Sequence, residues 1–134
     1  MSILVYHDLT QLPEPCAVTD CAVSGGTLED YLNRAVRECG QKLCVRIYPV
    51  YMDFPLPCPG GIGQFLTQEA FTRRRDALQP HFSPALGTEY CTLRCADGAH
   101  VLLGDTRETL RWKLRLCQRL GVAYAITPGW LEAE

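Results

Sequence analysis

Residues 97–127, DGAHVLLGDTRETLRWKLRLCQRLGVAYAIT, are written as turn, strand, capped helix and strand. That succession is how one unit of a parallel α/β barrel is spelled, because a helix between two strands carries the chain back to the edge where it started. VAYAIT is apolar throughout, as a strand covered on both faces must be. Asp105 reads as the helix cap, with Glu108 completing a capping box. Leu110, Leu114, Leu116, Cys117 and Leu120 fill one broad arc of the helix, and Gly121 stops it. The spacing predicts a helix over about 106–120 and a strand over about 122–127.

A second unit lies upstream. SILVY, 2–6, reads as an apolar strand, and KLCVRIYPVYM carries another at about 43–50. Between them TLEDYLNRAVRECG is an amphipathic helix at 27–39, capped by Thr27 and ended by Gly40, with Leu28, Tyr31, Leu32, Ala35, Val36 and Cys39 on one stripe. DFPLPCPGGIGQF reads as a loop, because Pro and Gly interrupt both regular periods. TQEAFTRRRDALQ is a moderate helix, and TEYCTLRCADGAHVLL a hairpin turning at Asp97-Gly98. Cys91, Leu93 and Cys95 share one face of that hairpin and are expected in its core. The expected organisation is α/β: a partial (β/α)8 barrel contributing its last three strands, 1–54 and 105–134, with a small α+β insertion at 55–104.

The chain is short for a barrel. It has 134 residues, whereas a complete (β/α)8 barrel takes about 250. A hydrophobic share of 47% with 21% charged residues is ordinary globular composition. With a net charge of −2, nothing in the composition points to a nucleic-acid binder. Arg73, Arg74 and Arg75 read as a solvated helix face. No apolar run approaches a membrane span, and the N-terminus lacks the basic and apolar regions of a signal peptide. As written, the chain is expected in the cytoplasm. As part of a longer exported protein it would be extracellular or spore-associated.

Eight cysteines are many. Cys91 and Cys95 fall on one strand, roughly 13 Å apart at the usual rise, too far for a disulfide. The spacings of Cys16 to Cys21 and of Cys39 to Cys44 match no zinc pattern. His81 and His100 flank the insertion without a ligand spacing. No metal and no cofactor are assigned.

The ordered segments LVYHDL, TLEDYLNRAV, DFPLPCPGG, HFSPALGTEYCTLRCADGAHVLLGDTRETLRWKL and LGVAYAI resemble the C-terminal part of glycoside hydrolase family 18. The nearest likeness is to the chitinase-like enzymes of bacterial spore germination and cortex lysis. The resemblance implies a TIM barrel that starts here just before its sixth strand. It also implies that Asp105, Thr109 and Lys113 stand in the family's D-x-x-S/T-x-x-x-K helix pattern, with the spacing approximately kept.

The family's acid motif, D-x-x-D-x-D-x-E on the fourth strand, is absent from this sequence. Tyr6 matches the tyrosine of the family's sixth-strand motif. The acid that follows it there is replaced by His7, with Asp8 one place on. The tryptophan expected on the last strand falls at Ala125, and Trp130 comes shortly after it. Tyr6, His7, Asp8, Asp53 and Trp130 are therefore the candidate ligand-binding residues, and no catalytic residue is assigned. Without a buried general acid the glycosidic oxygen receives no proton. The leading expectation is a non-catalytic pseudoenzyme that binds an amino-sugar polysaccharide, chitin or peptidoglycan, or serves in assembly. The cut barrel is expected to be completed by a homodimer or a partner chain. One alternative is a glycosidase fragment active only with a partner that supplies the missing strands. Another is a cysteine-based thiol or metal-binding protein.

Overall fold

The structure is a computed structural model, and it describes residues 3–12, 16–21, 26–56 and 63–131. Two sheets organise the chain. The first is parallel, with strands β1 (Leu4–Tyr6), β2 (Ala17–Asp20), β3 (Leu43–Arg46) and β9 (Tyr124–Ile126) in the order β1-β9-β3-β2. The second is antiparallel, with β4 (Tyr51–Leu56), β5 (Gln64–Phe65), β6 (His81–Ser83), β7 (Thr88–Cys95) and β8 (Gly98–Gly104) in the order β5-β4-β8-β7-β6. Among the described residues three α-helices complete it: α1 (Leu28–Cys39), α2 (Gln68–Arg75) and α3 (Arg107–Leu120).

The three expected parallel strands are present, and a fourth, β2, joins them from a stretch read as loop. Ala17, Val18, Thr19 and Asp20 are too few and too mixed in polarity to show a period. Pairing with Leu43–Arg46 makes them a strand. β1 does not stand beside the strand that follows it. It pairs with β9, Leu4 opposite Tyr124, in the place that the first strand of a closed barrel takes beside the last. The sheet is thus an arc with β1 and β2 at its open edges. There Leu4 remains 52% and Val18 41% exposed.

Side chains alternate across the pleat. Leu43, Val45 and Ala125 point to the helices, where they form one core with Leu28 and Leu32 of α1 and Leu110, Leu116 and Cys117 of α3. Residues in register on the opposite face are Leu4, Tyr124, Cys44 and Val18, then Tyr6, Ile126, Arg46 and Asp20. Thr27 caps α1 by accepting from the Asp30 amide at 3.1 Å, and Gly40 ends it at φ 58°, both as the sequence requires.

The strand expected at 43–50 is shorter, and 47–50 lie outside any strand. β3 stops at Arg46, and the chain restarts at Tyr51 in the other sheet. The reading of DFPL as loop is corrected: Asp53–Leu56 lie in β4. Pro55 is tolerated because β5 pairs only with Met52 and Asp53, so β4 is an edge strand by the time it reaches the proline. β4 therefore runs across the expected boundary at 54/55. Residues 57–62 of the Pro/Gly stretch lie outside the described residues. The hairpin is as expected, but its turn is Ala96-Asp97, and Gly98, at φ 125°, is the first residue of the returning strand. Cys91 is buried in it, with Leu93 and Cys95 half-buried.

The two layers are fastened together. The Leu28 amide at the start of α1 donates to the Ala85 carbonyl at 2.7 Å. Phe82 on β6 meets Trp112 of α3 edge-to-face, ring centroids 5.2 Å apart. α2 lays Phe71 over Gly104, where a Cβ would sit 2.2 Å from the ring, so only glycine fits at the end of β8. Leu32, fully buried between α1 and the parallel sheet, provides a test. Leu32→Ala is expected to lower unfolding free energy by about 2–5 kcal/mol. A urea melt should show this as a lower midpoint at unchanged slope.

Candidate binding cleft

α3 begins differently from the sequence expectation. Thr106, not Asp105, is the N-cap. Its hydroxyl accepts from the Thr109 amide at 3.2 Å, while the Thr109 hydroxyl accepts from the Thr106 amide at 2.9 Å. Glu108 is not the reciprocal partner; its own amide and then the Thr106 hydroxyl hold its carboxyl below the usual carboxylate range. Asp105 is released from capping and turned inward. Its Oδ1 accepts from Lys113 Nζ at 2.8 Å and from the Thr109 hydroxyl at 2.9 Å. Its Oδ2 accepts from the Val50 amide at 2.9 Å. Neither charged side chain reaches water. Lys113, on the apolar arc of its helix, thus finds its carboxylate, and the pair anchors the segment joining β3 to β4.

Beside this anchor opens a cleft of about 430 Å³, lined by Pro49, Tyr51, Gln68, Asp105, Thr106, Arg107 and Trp130. It sits past the C-terminal ends of β3 and β9, where parallel barrels keep their sites. Trp130 is 45% exposed, with the Arg107 guanidinium over its ring at 5.5 Å. Burial, and then the Asp105 carboxylate, push the Tyr51 phenol up from its ordinary value.

Of the candidate residues, only Trp130 lines this cleft. Tyr6 sits on the outer strand β1 against Tyr124, centroids 6.3 Å apart. His7 follows it. Its Nδ1–H donates to the Thr127 carbonyl at 3.0 Å, and its own carbonyl accepts from the Tyr48 hydroxyl at 3.3 Å. Asp8 caps a short 3-10 turn, Leu9–Gln11, by accepting from the Thr10 amide at 3.0 Å. Ala125 is fully buried on the helix-facing side of β9. The cleft's other walls, Tyr51, Gln68 and Arg107, come from three elements distant in sequence, and no spacing marks them.

Asp53 lies in the antiparallel sheet instead. Its Oδ1 accepts from His100 Nδ1 at 2.7 Å, and its Oδ2 from Arg74. Burial pushes its carboxyl up, but hydrogen bonds and charge from His100 and Arg74 outweigh this and hold it below the usual carboxylate range. The arginine run is therefore only partly a solvated face: Arg74 pairs with Asp53, and Arg75 with Glu89 at 3.2 Å. Burial pushes the Cys44 thiol up to about 11, and the hydrogen bond with Cys21 followed by burial pushes Cys117 higher still. Neither is a thiolate near neutrality, so neither is a nucleophile.

No family model matches the sequence, and no curated protein does. Solved structures do match its fold, a parallel barrel-type sheet joined to an antiparallel one. The spore cortex-lytic enzyme SleL of Bacillus megaterium QM B1551 superposes with a TM-score of 0.65 at 14% identity, over 84% of this chain and 30% of that one. A chitinase from Chromobacterium violaceum matches at 0.54 and 19% identity, over 96% and 41%. A glycoside hydrolase family 18 N-acetylglucosaminidase from Paenibacillus barengoltzii matches at 0.55 and 10%, over 97% and 39%. The likeness to family 18 is shown at the level of the fold, over a stretch between 30% and 41% of the length of these enzymes. Among the described residues no helix is long and apolar enough to cross a membrane.

The anchor beneath the cleft can be tested by a double-mutant cycle. Lys113→Met leaves Asp105 buried without its cation and is expected to cost about 3–5 kcal/mol. Asp105→Asn combined with Lys113→Met should cost less than the sum of the two single changes, as read from chemical denaturation.

Proposed function

We propose that this chain is a non-catalytic, glycoside hydrolase-like module that binds amino-sugar polysaccharide, chitin or peptidoglycan, in the Trp130 cleft. The observation that carries the reading is an exposed indole beside polar groups at the C-terminal mouth of a barrel-type sheet. Sugar rings present apolar C–H faces rimmed by hydroxyls, so an aromatic platform beside amide and guanidinium donors suits them. The chemistry supports binding over cleavage. A general acid must hold a proton near neutrality, which needs a carboxyl pushed upward. Asp105 is committed to Lys113, and Asp53 is held low. The parallel sheet with α1 and α3 is taken as the binding portion, with the antiparallel sheet and α2, inserted between β3 and α3, walling it from one side. Tyr6, His7 and Asp8 remain candidates for contacts with a longer ligand.

Trp130→Ala should weaken binding of chitooligosaccharides or muropeptides about tenfold, the equivalent of one stacked ring at about 1.4 kcal/mol. Calorimetry reads the affinity, and mass spectrometry of the same samples should show intact ligand. Unchanged affinity would remove Trp130 from the site, and cleaved ligand would overturn the non-catalytic reading.

A second reading concerns assembly. Leu4 and Val18 stand exposed on the two outer strands, and a parallel strand leaves a row of unpaired amides and carbonyls at an open edge. Edge pairing between two copies, or with a chain that supplies further strands, would cover both. Sedimentation at micromolar concentration is expected to give twice the chain mass, and a strict monomer would eliminate the homodimer.

A further inference from the structure

The pleat of the antiparallel sheet gathers an unusual set of side chains on the face that α2 covers. Leu93 pairs with His100, and Cys91 with Leu102, which also pairs with Asp53. Cys95, two residues beyond Leu93, therefore shares a face with His100 and Asp53. The turn between the strands then brings Asp97 over the same spot. The Cys95 sulfur, an Asp97 oxygen and a His100 ring nitrogen all lie within 4.8 Å of one another.

The imidazole is held in a particular way. Nδ1 points to Asp53 Oδ1 at 2.7 Å, and Nε2 to Asp97 Oδ1 at 2.9 Å. The Asp53 carboxylate is buried, with its other oxygen engaged by Arg74. A carboxylate that accepts from one ring nitrogen fixes the ring's orientation and leaves the other nitrogen to coordinate, which is the usual support behind a metal-bound histidine. We propose that Cys95, Asp97 and His100 bind one divalent transition-metal ion of the zinc type, with Asp53 positioning His100.

Sulfur, imidazole nitrogen and carboxylate oxygen together are donors that Zn²⁺ accepts in tetrahedral sites, and three protein ligands leave a fourth position for water. The site can take an ion from solution: Asp97 is exposed, and Cys95 is only partly covered. The ion would take the place of the proton between His100 Nε2 and Asp97 and of the thiol proton of Cys95. The opposing charge is Arg74. It pairs with Asp53 and also touches Cys95, so it occupies part of the space a cation needs and must give up its contact with the sulfur. The spacing C-x-D-x-x-H falls outside the usual zinc patterns. The hairpin register, rather than the sequence interval, brings the donors together.

The experiment uses the full chain stripped of metal and titrated with Co²⁺, a spectroscopic stand-in for Zn²⁺. A near-ultraviolet sulfur-to-cobalt charge-transfer band with intense tetrahedral visible bands should saturate at one ion per chain and be displaced by Zn²⁺. Cys95→Ser should abolish the charge-transfer band, and Asp97→Asn, at an exposed turn position that leaves the fold intact, should weaken binding. Asp53→Asn should lower affinity about 10–100-fold, the usual effect of losing such a support. Arg74→Gln should raise affinity severalfold. No band at stoichiometric cobalt would overturn the proposal. So would a band that survives Cys95→Ser at unchanged affinity, because the ion would then be held by other cysteines. None of these outcomes depends on carbohydrate binding.

Discussion

A lysine ammonium and an aspartate carboxylate, both shut off from water, hold the two sheets of this protein in relation to each other. Taking either charge out of solvent costs several kcal/mol, and only a partner with good geometry offsets it. Asp105 follows directly on β8, the central strand of the antiparallel sheet, and Lys113 sits two turns along α3. The third tie, from the Val50 amide, belongs to the segment where the chain leaves the parallel sheet. One carboxylate thus fixes the exit from the first sheet, the return from the second and the start of the helix leading back to β9. Each donor is satisfied by the same group, so displacing any one of them leaves a buried polar group short of a partner.

The Trp130 cleft is a consequence of that anchor. Its walls come from β4, α2, the first turn of α3 and the segment after β9, and they converge because Asp105 holds the junction closed from beneath. The same constraint limits the chemistry. Both oxygens of Asp105 are engaged, Oδ1 by Lys113 Nζ and the Thr109 hydroxyl and Oδ2 by the Val50 amide.

The second polar centre, Asp53 with His100 and Arg74, is built on the same plan. A buried carboxylate in a sheet gathers donors from a neighbouring strand and from the helix lying on it. There the set remains partly open toward the hairpin turn, where Cys95 and Asp97 stand. The centre at Asp105 is closed to solvent, whereas the one at His100 borders exposed Asp97.

Several features are determined by the sequence alone. The stripes of α1 and α3, the cap at Thr27, the stops at Gly40 and Gly121 and the unbroken apolar run of β9 depend on near neighbours in the chain, so a local pattern suffices to place them. The succession of these pieces, with LGVAYAI and the GDTRETLRWK segment in order, was also enough to point to the family 18 fold. Other features needed the tertiary structure. β2 is a strand only because Leu43–Arg46 offers it an edge, and β4 tolerates Pro55 only because β5 has already ended. Asp105 serves as an anchor rather than a cap because Lys113 and Val50 arrive from elsewhere to claim it. The neighbour of β1 was likewise beyond reach, because a strand of Leu4–Tyr6 is apolar whichever edge it joins. The choice of β9 depends on how the whole sheet closes. The set of Cys95, Asp97, His100 and Asp53 is the clearest case: its members are meaningless as a spacing, and they meet because antiparallel register places Cys95, His100 and Asp53 of three strands on one face while the hairpin turn brings Asp97 over them.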